Sequence, residues 1–457
     1  MTSLHENCRL LPNERVLWVN ADGQVDIDGL QVEYATNEAA LKAYTGKKIA
    51  VQFGSDLLLA RLLVMLDGLV AQILLLPQGV SHEERNSFLD STGTEIFVAD
   101  RPVDANHPVD EGVMCIYWDG TSIPKLNESG ASRCHETNWV LATSGTTGTP
   151  KLVSHTLASL TRSVVGNIHK GANYRWALLY ELSRFAGLQV FLQAFLSGSM
   201  LIFPARDAPL IQKLEFLSGK GVNSISATPS MWRQILMSTM VDDLKLQQIT
   251  LGGEIADQKI LSSLTARFPQ ARIVHIYAST EAGVGFVVKD GLVGFPASWL
   301  ITPPDGIDMK INQDGMLFLR TTLSEQKYVD NGNKSVCDDN GFVLTGDLVK
   351  KKADRYIFLG RDSGAINVGG NKVVPEEVEA VVLAMDEVSQ CHVYGKSNPF
   401  LGQLVVADVL PVVDINHETL SNNIVSYCRD RLAAYKVPAL VNVVQDFDFT
   451  STGKIKR

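Results

Sequence analysis

The residues best suited to chemistry lie between Thr143 and Lys151, in the run TSGTTGTPK. Gly145 and Gly148 let backbone N–H groups approach a ligand closely, and Ser144, Thr146 and Thr147 add short hydroxyl donors around them. Pro150 fixes the backbone just before Lys151, whose ammonium is a compact positive charge. Such a run can hold a polyphosphate. Its plain alternative is a Gly/Thr-rich surface turn that ends in a solvated lysine. The run does not match the GxxxxGK[ST] loop, because Leu152 follows Lys151, and this argues against a P-loop kinase or GTPase.

Five more segments carry functional groups. In YASTEAG, Tyr277 offers a ring that can stack on a base, Thr280 a hydroxyl for a phosphate, and Glu281 a carboxylate for a magnesium ion between phosphates. The same letters also read as a helix start capped by Ser279. LGGEIAD places Gly253 and Glu254 where a planar ligand could lie, and LTGDL presents Asp347 to ribose hydroxyls, or simply closes a turn. Arg361 opens GRDSGAINVGGNKVVPEEVE as a phosphate or ribose partner. The chain ends in TSTGKIKR, where Lys454 follows Gly453, although a basic terminus is usually a solvated tail.

These segments need a scaffold, and the apolar pattern supplies one. Short runs at 49–53, 70–76 and 95–98 read as strands, separated by helical patterns at 56–67 and 82–91. The alternation resumes with strands at 201–203, 224–227, 248–251 and 272–277, and helices near 209–218, 229–238 and 257–268. This order implies βα units and a mostly parallel sheet, whose ligands sit beyond the carboxyl ends of the strands. The loops after residues 142, 251 and 276 would therefore converge on one crevice. From about Gly291, NQDG before MLFLRT and DDNG before FVLTGD signal hairpins in a β-rich subdomain. Beyond Asp362, helices at 376–383 and 419–432 and strands at 391–394 and 404–410 suggest a small separate domain.

Size and composition agree. At about 150 residues per domain, 457 residues allow two or three domains. The 45% hydrophobic content and mean hydropathy of +0.06 are those of an ordinary soluble enzyme. A net charge of −9, with no basic run before the last residues, points away from nucleic acid and anionic membranes. Cysteines 8, 115, 134, 337, 391 and 428 form no metal-ligand spacing and read as thiols of a reducing cytoplasm. The N-terminal residues do not read as a signal peptide. The apolar stretch 57–76 is broken by Arg61, Asp67, Gly68 and Gln72, so it reads as a buried helix and strand rather than a membrane span.

With these motifs in this order, the chain resembles the adenylate-forming superfamily of acyl-CoA synthetases, aryl-CoA ligases, luciferases and peptide-synthetase adenylation domains. The resemblance runs from about Lys48 to Arg457. It implies an α/β fold: a large N-terminal domain, residues 1–360, of βα-layered mostly parallel sheets plus a β-rich subdomain, and a small mobile α+β domain, residues 361–457. It makes Thr143, Ser144, Gly145, Thr146, Thr147, Gly148 and Lys151 the phosphate loop. Gly253 and Glu254 would border adenine, Tyr277 would stack on it, Thr280 would contact the α-phosphate and Glu281 would bind magnesium. Asp347 would hold the ribose, Arg361 would serve the domain junction, and Lys454 would be the catalytic lysine between carboxylate and α-phosphate.

The implied reaction joins a small carboxylic acid to AMP and then passes the acyl group to the thiol of coenzyme A or of phosphopantetheine on an acyl or peptidyl carrier protein. Two other outcomes stay open: a reaction that stops at the adenylate or ends in an amide, and a nucleotide-binding scaffold without catalysis. Three residues depart from the family pattern. Ser363 stands at the hinge where Asp or Lys is usual, Ala278 replaces a common glycine beside the acyl pocket, and Arg184 in ELSRFAGL replaces a His or aromatic residue. Arg184 either favours an acid with a second anionic or polar group or is merely ion-paired. His155 and His275 read as structural.

Overall fold

The computed structural model describes residues 3–104, 106–126, 136–143, 151–304, 306–321, 326–329, 334–412, 415–448 and 455. Two eight-stranded sheets form its centre. The first runs in the order Gly283–Val288, Arg272–Ser279, Gln248–Gly252, Ser224–Ala227, Arg175–Ala177, Met200–Ile202, Val16–Val19, Gln24–Asp26. It is parallel throughout its interior and antiparallel only at its two edge pairs. The second is parallel across Asn138–Ala142, Gln72–Leu75, Lys48–Gln52, Ile96–Ala99 and Met114–Tyr117. Its other side turns antiparallel through Leu152–His155, Lys327–Tyr328 and Lys334–Ser335.

One helix between the sheets shows why the sequence folds this way. Asp56–Leu66 starts where the Ser55 hydroxyl accepts from the Leu58 N–H, and Leu59, Leu62, Leu63 and Leu66 recur at helical spacing and are buried. They share a core with Ile49, Val51 and Ile73 of the second sheet and with Leu17, Trp18 and Leu201 of the first. The charged residues that break the stretch 57–76, Arg61 and Asp67, have partners. Arg61 forms a bidentate pair with Glu33, at 2.7 Å for Nη2 to Oε1 and 3.0 Å for Nε to Oε2. The two carboxyl oxygens of Asp67 accept from Trp139 Nε1 at 3.0 Å and from the Leu4 N–H at 2.8 Å. Among the described residues, no helix is long and apolar enough to cross a membrane.

A third sheet, antiparallel, carries the hairpins expected after Gly291: Phe295–Pro296, Arg355–Arg361, Val343–Lys352, Met316–Thr321 and Ile307–Ile311. A fourth combines Asn371–Val373, Ile366–Val368, Gly402–Pro411, Val388–Asn398 and Leu440–Val443. Helices Pro375–Leu383 and His417–Arg429 close its own apolar core around Val378, Val382, Val405, Ala407, Leu420 and Ile424.

Sequence reading missed the N-terminal part. Strand Val16–Val19 extends the first sheet beside Met200–Ile202, and helix Ile27–Leu41 packs on Asp56–Leu66. The helix has a weakly segregated apolar face, so its periodicity gave little signal. Strand Arg272–Ser279 also runs further than read from the sequence. Tyr277 and Ala278 belong to the strand, at an irregularity in its pairing with Gly283–Val288, rather than to a loop. Ser279 does accept from the Ala282 N–H at 3.0 Å, but the turn it caps leads through Gly283, at φ +69°, into a strand and not a helix.

Burial raises the Asp67 pKa from 3.8 to about 6, against the opposing hydrogen bonds from Leu4 and Trp139. The folded protein therefore holds this proton more tightly than the unfolded chain. Its contribution to stability is greatest below about pH 4 and is lost as pH rises to about 6. Urea titrations of wild type and Asp67→Asn should show a stability difference that changes between those two pH values and is level above pH 7. A difference constant throughout would show that this carboxyl does not titrate as its burial requires.

Candidate active site

The phosphate-loop candidate sits between strands Asn138–Ala142 and Leu152–His155 of the second sheet. Its neck is closed by two hydrogen bonds. The Thr143 N–H donates to the Lys151 carbonyl at 2.8 Å, and the Lys151 N–H donates to Thr143 Oγ1 at 3.2 Å. Thr143 is buried, whereas Lys151 is exposed with Nζ 5.1 Å from the centre of the Tyr328 ring. Ser144, Gly145, Thr146, Thr147 and Gly148 lie outside the described residues, as does Lys454.

A second group forms where the first and third sheets meet. The Tyr277 hydroxyl donates to Asp347 Oδ2, and Arg361 Nε donates to Asp347 Oδ1 at 3.2 Å. Asp347 and Arg361 are cross-strand partners in register. Tyr277 stacks on Phe286 and Phe358, at centroid distances of 5.1 and 5.0 Å, which fixes the direction of its hydroxyl. Burial, and next the Asp347 charge, push the Tyr277 pKa well above its usual value, so the phenol keeps its proton. Burial works against the charge on Arg361, but Asp347, with Tyr277 and Glu281, outweighs it and holds the guanidinium charged. Glu281 is thus within electrostatic reach of this group.

His155 links the two groups. It ends the strand that returns from the phosphate-loop candidate, is buried, and lies beside the Thr280 backbone, while its Nε2 has no hydrogen-bond partner among the described residues. Its Nδ1 lies 3.4 Å from Ser159 Oγ. Burial lowers its pKa to about 4, so the imidazole is neutral near pH 7 and unsuited to carrying a positive charge. Nearby, an Arg162 terminal nitrogen donates to the Val284 carbonyl in the hairpin that begins at Tyr277. Through His155, the Tyr277–Glu281 segment therefore lies against the strand that returns from the phosphate-loop candidate. His275 lies apart from this chemistry, with Nε2 3.0 Å from the Leu292 carbonyl.

The LGGE segment follows strand Gln248–Gly252, with Gly252 in register with Ile276 of the neighbouring strand. Gly253 has φ +81°, a conformation open to glycine, and is exposed. Glu254 Oε2 accepts from the Ser230 N–H at 2.9 Å in the first turn of helix Pro229–Met237. Tyr180 Oη lies 3.4 Å from the Gly252 carbonyl.

Arg184 immediately precedes helix Phe185–Leu196. Its Nε donates to Glu181 Oε2 at 3.1 Å, and no other hydrogen bond from its guanidinium occurs among the described residues. Glu181 is buried, accepts from the Gln78 N–H at 2.8 Å and lies 3.5 Å from Arg206 Nη1. Arg206 also pairs with Asp56, whose Oδ1 accepts from the Leu182 N–H at 3.1 Å. Two carboxylates and two guanidiniums thus compensate one another, as burial requires. The ring of Phe185, the next residue, lies 5.9 Å from that of His155. Sequence reading passed over Glu181; its place three residues before Arg184, ahead of an apolar helix, is the signal that could have found it.

The fold is that of the adenylating enzymes, and comparison with known proteins gives the family. The AMP-binding enzyme family model matches residues 50–316, and that of the AMP-binding enzyme C-terminal domain matches residues 377–454. The chain belongs to the AMP-binding enzymes, and stands among their AMP-forming acid–CoA ligases. A 2-succinylbenzoate–CoA ligase of Bacillus licheniformis is 24% identical over 406 residues, covering 84% of this chain and 83% of that protein. A counterpart from Bacillus velezensis is 27% identical over 338 residues, covering 70% and 68%. Among solved structures, o-succinylbenzoate CoA synthetase from Bacillus subtilis with its acyl-adenylate intermediate superposes with a TM-score of 0.75 at 20% identity, covering 100% of this chain and 97% of that one. The anthranilate CoA ligase AuaEII with anthranoyl-AMP gives a TM-score of 0.77 at 19% identity, covering 99% and 95%.

Tyr277→Phe keeps the aromatic stack but leaves one oxygen of a half-buried Asp347 without its donor. Unfolding in urea should show a loss of about 1–3 kcal/mol. An unchanged midpoint would mean that the hydroxyl does not help to hold Asp347.

Proposed function

We propose that the protein joins a small carboxylic acid to AMP with release of pyrophosphate and then transfers the acyl group to the thiol of coenzyme A. The observation that carries this reading is the approach of the Tyr277–Glu281 segment to the strand that leaves the phosphate-loop candidate. Through His155 and Thr280, the Tyr277–Glu281 segment meets the strand that returns from the phosphate-loop candidate, while Tyr277 itself grips the Asp347–Arg361 pair. Hydroxyl and backbone donors, a lysine, an arginine and two carboxylates then surround a space suited to a nucleotide.

In the first step a carboxylate oxygen attacks the α-phosphorus of ATP, and the bond to the leaving pyrophosphate breaks. Both reactants are anionic, so the chain must supply positive charge and alignment. Residues 143–148 and Lys151 hold the phosphates, Thr280 contacts the α-phosphate, and Lys454 bridges it to the acid. Gly253, Glu254 and Tyr277 frame adenine, and Asp347, held by Tyr277 and Arg361, accepts from the ribose hydroxyls. A magnesium ion suits Glu281, since such an ion takes one or two carboxylates together with substrate phosphates; among the described residues there is no denser cluster of metal ligands. When bound, it neutralises charge on the phosphates. In the second step the thiol sulfur attacks the acyl carbon, and AMP leaves.

Domain alternation separates the two steps in this reading. The C-terminal unit, residues 361–457, turns about Ser363, withdrawing Lys454 and bringing residues 368–372 to the incoming thiol. Gly364 follows Ser363 and eases that turn. Ala278 narrows the acyl side by one methyl group. On that side Arg184 is ion-paired through Nε alone, which leaves its terminal nitrogens for a ligand. An acid with a second anionic or polar group fits this edge, and 2-succinylbenzoate, named in the relatives, has such a group.

The test is a pyrophosphate-release screen over benzoate, 2-succinylbenzoate, anthranilate, short fatty acids and amino acids. It is repeated with coenzyme A and with a phosphopantetheinylated carrier protein as acceptor. Acid-dependent release followed by a CoA thioester is expected, and release independent of any acid removes the proposal. Lys454→Ala should lower pyrophosphate release by at least about a hundredfold while thiolysis of a supplied acyl-adenylate persists; equal loss of both would contradict domain alternation. Arg184→Ala should raise KM for a dicarboxylic acid about tenfold more than for its monocarboxylic analogue. An unchanged preference would place the second anionic group elsewhere.

A further inference from the structure

A side chain that plays no part in the site ties the C-terminal unit to the large one. Lys259, on helix Gln258–Arg267, donates from Nζ to the Met385 carbonyl at 2.5 Å and to the Val388 carbonyl at 3.1 Å. Helix Pro375–Leu383 ends at its Ala384 cap, so these carbonyls lie at and just beyond the negative end of that helix, where an ammonium is favoured. Asp386, Asp257 and Glu387 add negative charge around Lys259, while Arg233 adds positive charge; burial lowers the lysine pKa against the pull of the acids. Arg233 is paired with Asp257 and is close enough to act on Cys391 in strand Val388–Asn398, against which helix Pro229–Met237 also packs. The contact is therefore a built one: a lysine and an arginine of one unit face helix-end carbonyls and acids of the other.

The hairpin of Ile366–Val368 and Asn371–Val373 is oriented quite differently. Asn367, Gly369, Gly370, Asn371 and Lys372 are all exposed, and Lys372 Nζ pairs with Asp362 Oδ1 at 2.5 Å instead of with the large unit. Under the reading given above, on which this inference rests, that hairpin must face the crevice when the thiol attacks. The orientation held by Lys259 is thus not the one used for thiol transfer.

We propose that Lys259 is a docking latch. Its two hydrogen bonds hold the C-terminal unit in the arrangement that serves adenylate formation, and they break before residues 368–372 turn inwards. Lys259 is a positioning residue, acting through the partition between two orientations rather than on the reacting atoms.

The test uses the full chain with Lys259→Ala and Lys259→Arg. In the ligand-free protein, hydrogen exchange of the amides in residues 385–391 should quicken about tenfold in Lys259→Ala, with the strands at 248–252 and 405–409 unchanged. With an acid active in the screen above, pyrophosphate release should slow relative to thiolysis of the supplied adenylate, so that the ratio of the two rates falls about tenfold. Lys259→Arg, which can reach the same carbonyls, should restore both. Unchanged exchange, or equal loss in the two half-reactions, overturns the latch. Should wild type release no pyrophosphate with any acid, the reaction assigned above fails, while the exchange measurement still decides whether Lys259 docks the unit.

Discussion

The Asp347 carboxylate is the point on which the candidate site depends. It receives one hydrogen bond from Tyr277, on the first sheet, and one from Arg361, on the strand next to its own in the third. The first bond fastens the β-rich layer to the βα layer, and the second holds Asp347 within its own sheet. Burial opposes the charge on Arg361, and the neighbouring Asp347 carboxylate outweighs it. The aromatic stack of Tyr277, Phe286 and Phe358 fixes the geometry from behind. A ribose docking on Asp347 would join a network already oriented and would not need to order it.

The same economy of partners recurs deeper in the molecule. Glu181, Arg184, Arg206 and Asp56 balance two negative and two positive charges in a half-buried patch. Arg184 enters it through Nε alone among the described residues. His155 shows the contrasting solution. It is buried without a counter-charge and gives up its proton, which leaves a neutral wedge between the phosphate-loop strand and Thr280.

Much of the architecture was legible because its signals are local. Ser55, followed by leucines at helical spacing, marks a helix; NQDG and DDNG mark hairpin turns; the apolar runs at 49–53 and 248–251 mark parallel strands. The helix Ile27–Leu41 escaped because its polar and apolar residues are poorly segregated, and the strand Val16–Val19 because its partner, Met200–Ile202, lies far along the chain. Tyr277 was assigned to a loop because chemistry-bearing letters suggest one, yet the pairing with Gly283–Val288 keeps it in a strand.

The sequence by itself determined the inventory: which residues can hold phosphate, base, ribose and metal, in what order they come, and, through family membership, the kind of enzyme they build. Order along a chain carries no information about which separated side chains end up in contact. That was decided only by the tertiary structure, which joined Tyr277 to Asp347, seated Glu181 against Arg184 and Arg206, and laid Lys259 on the end of a helix more than a hundred residues away. Hydrogen bonds and ion pairs act over a few ångströms, so their partners exist only once packing has brought the strands and helices that bear them together.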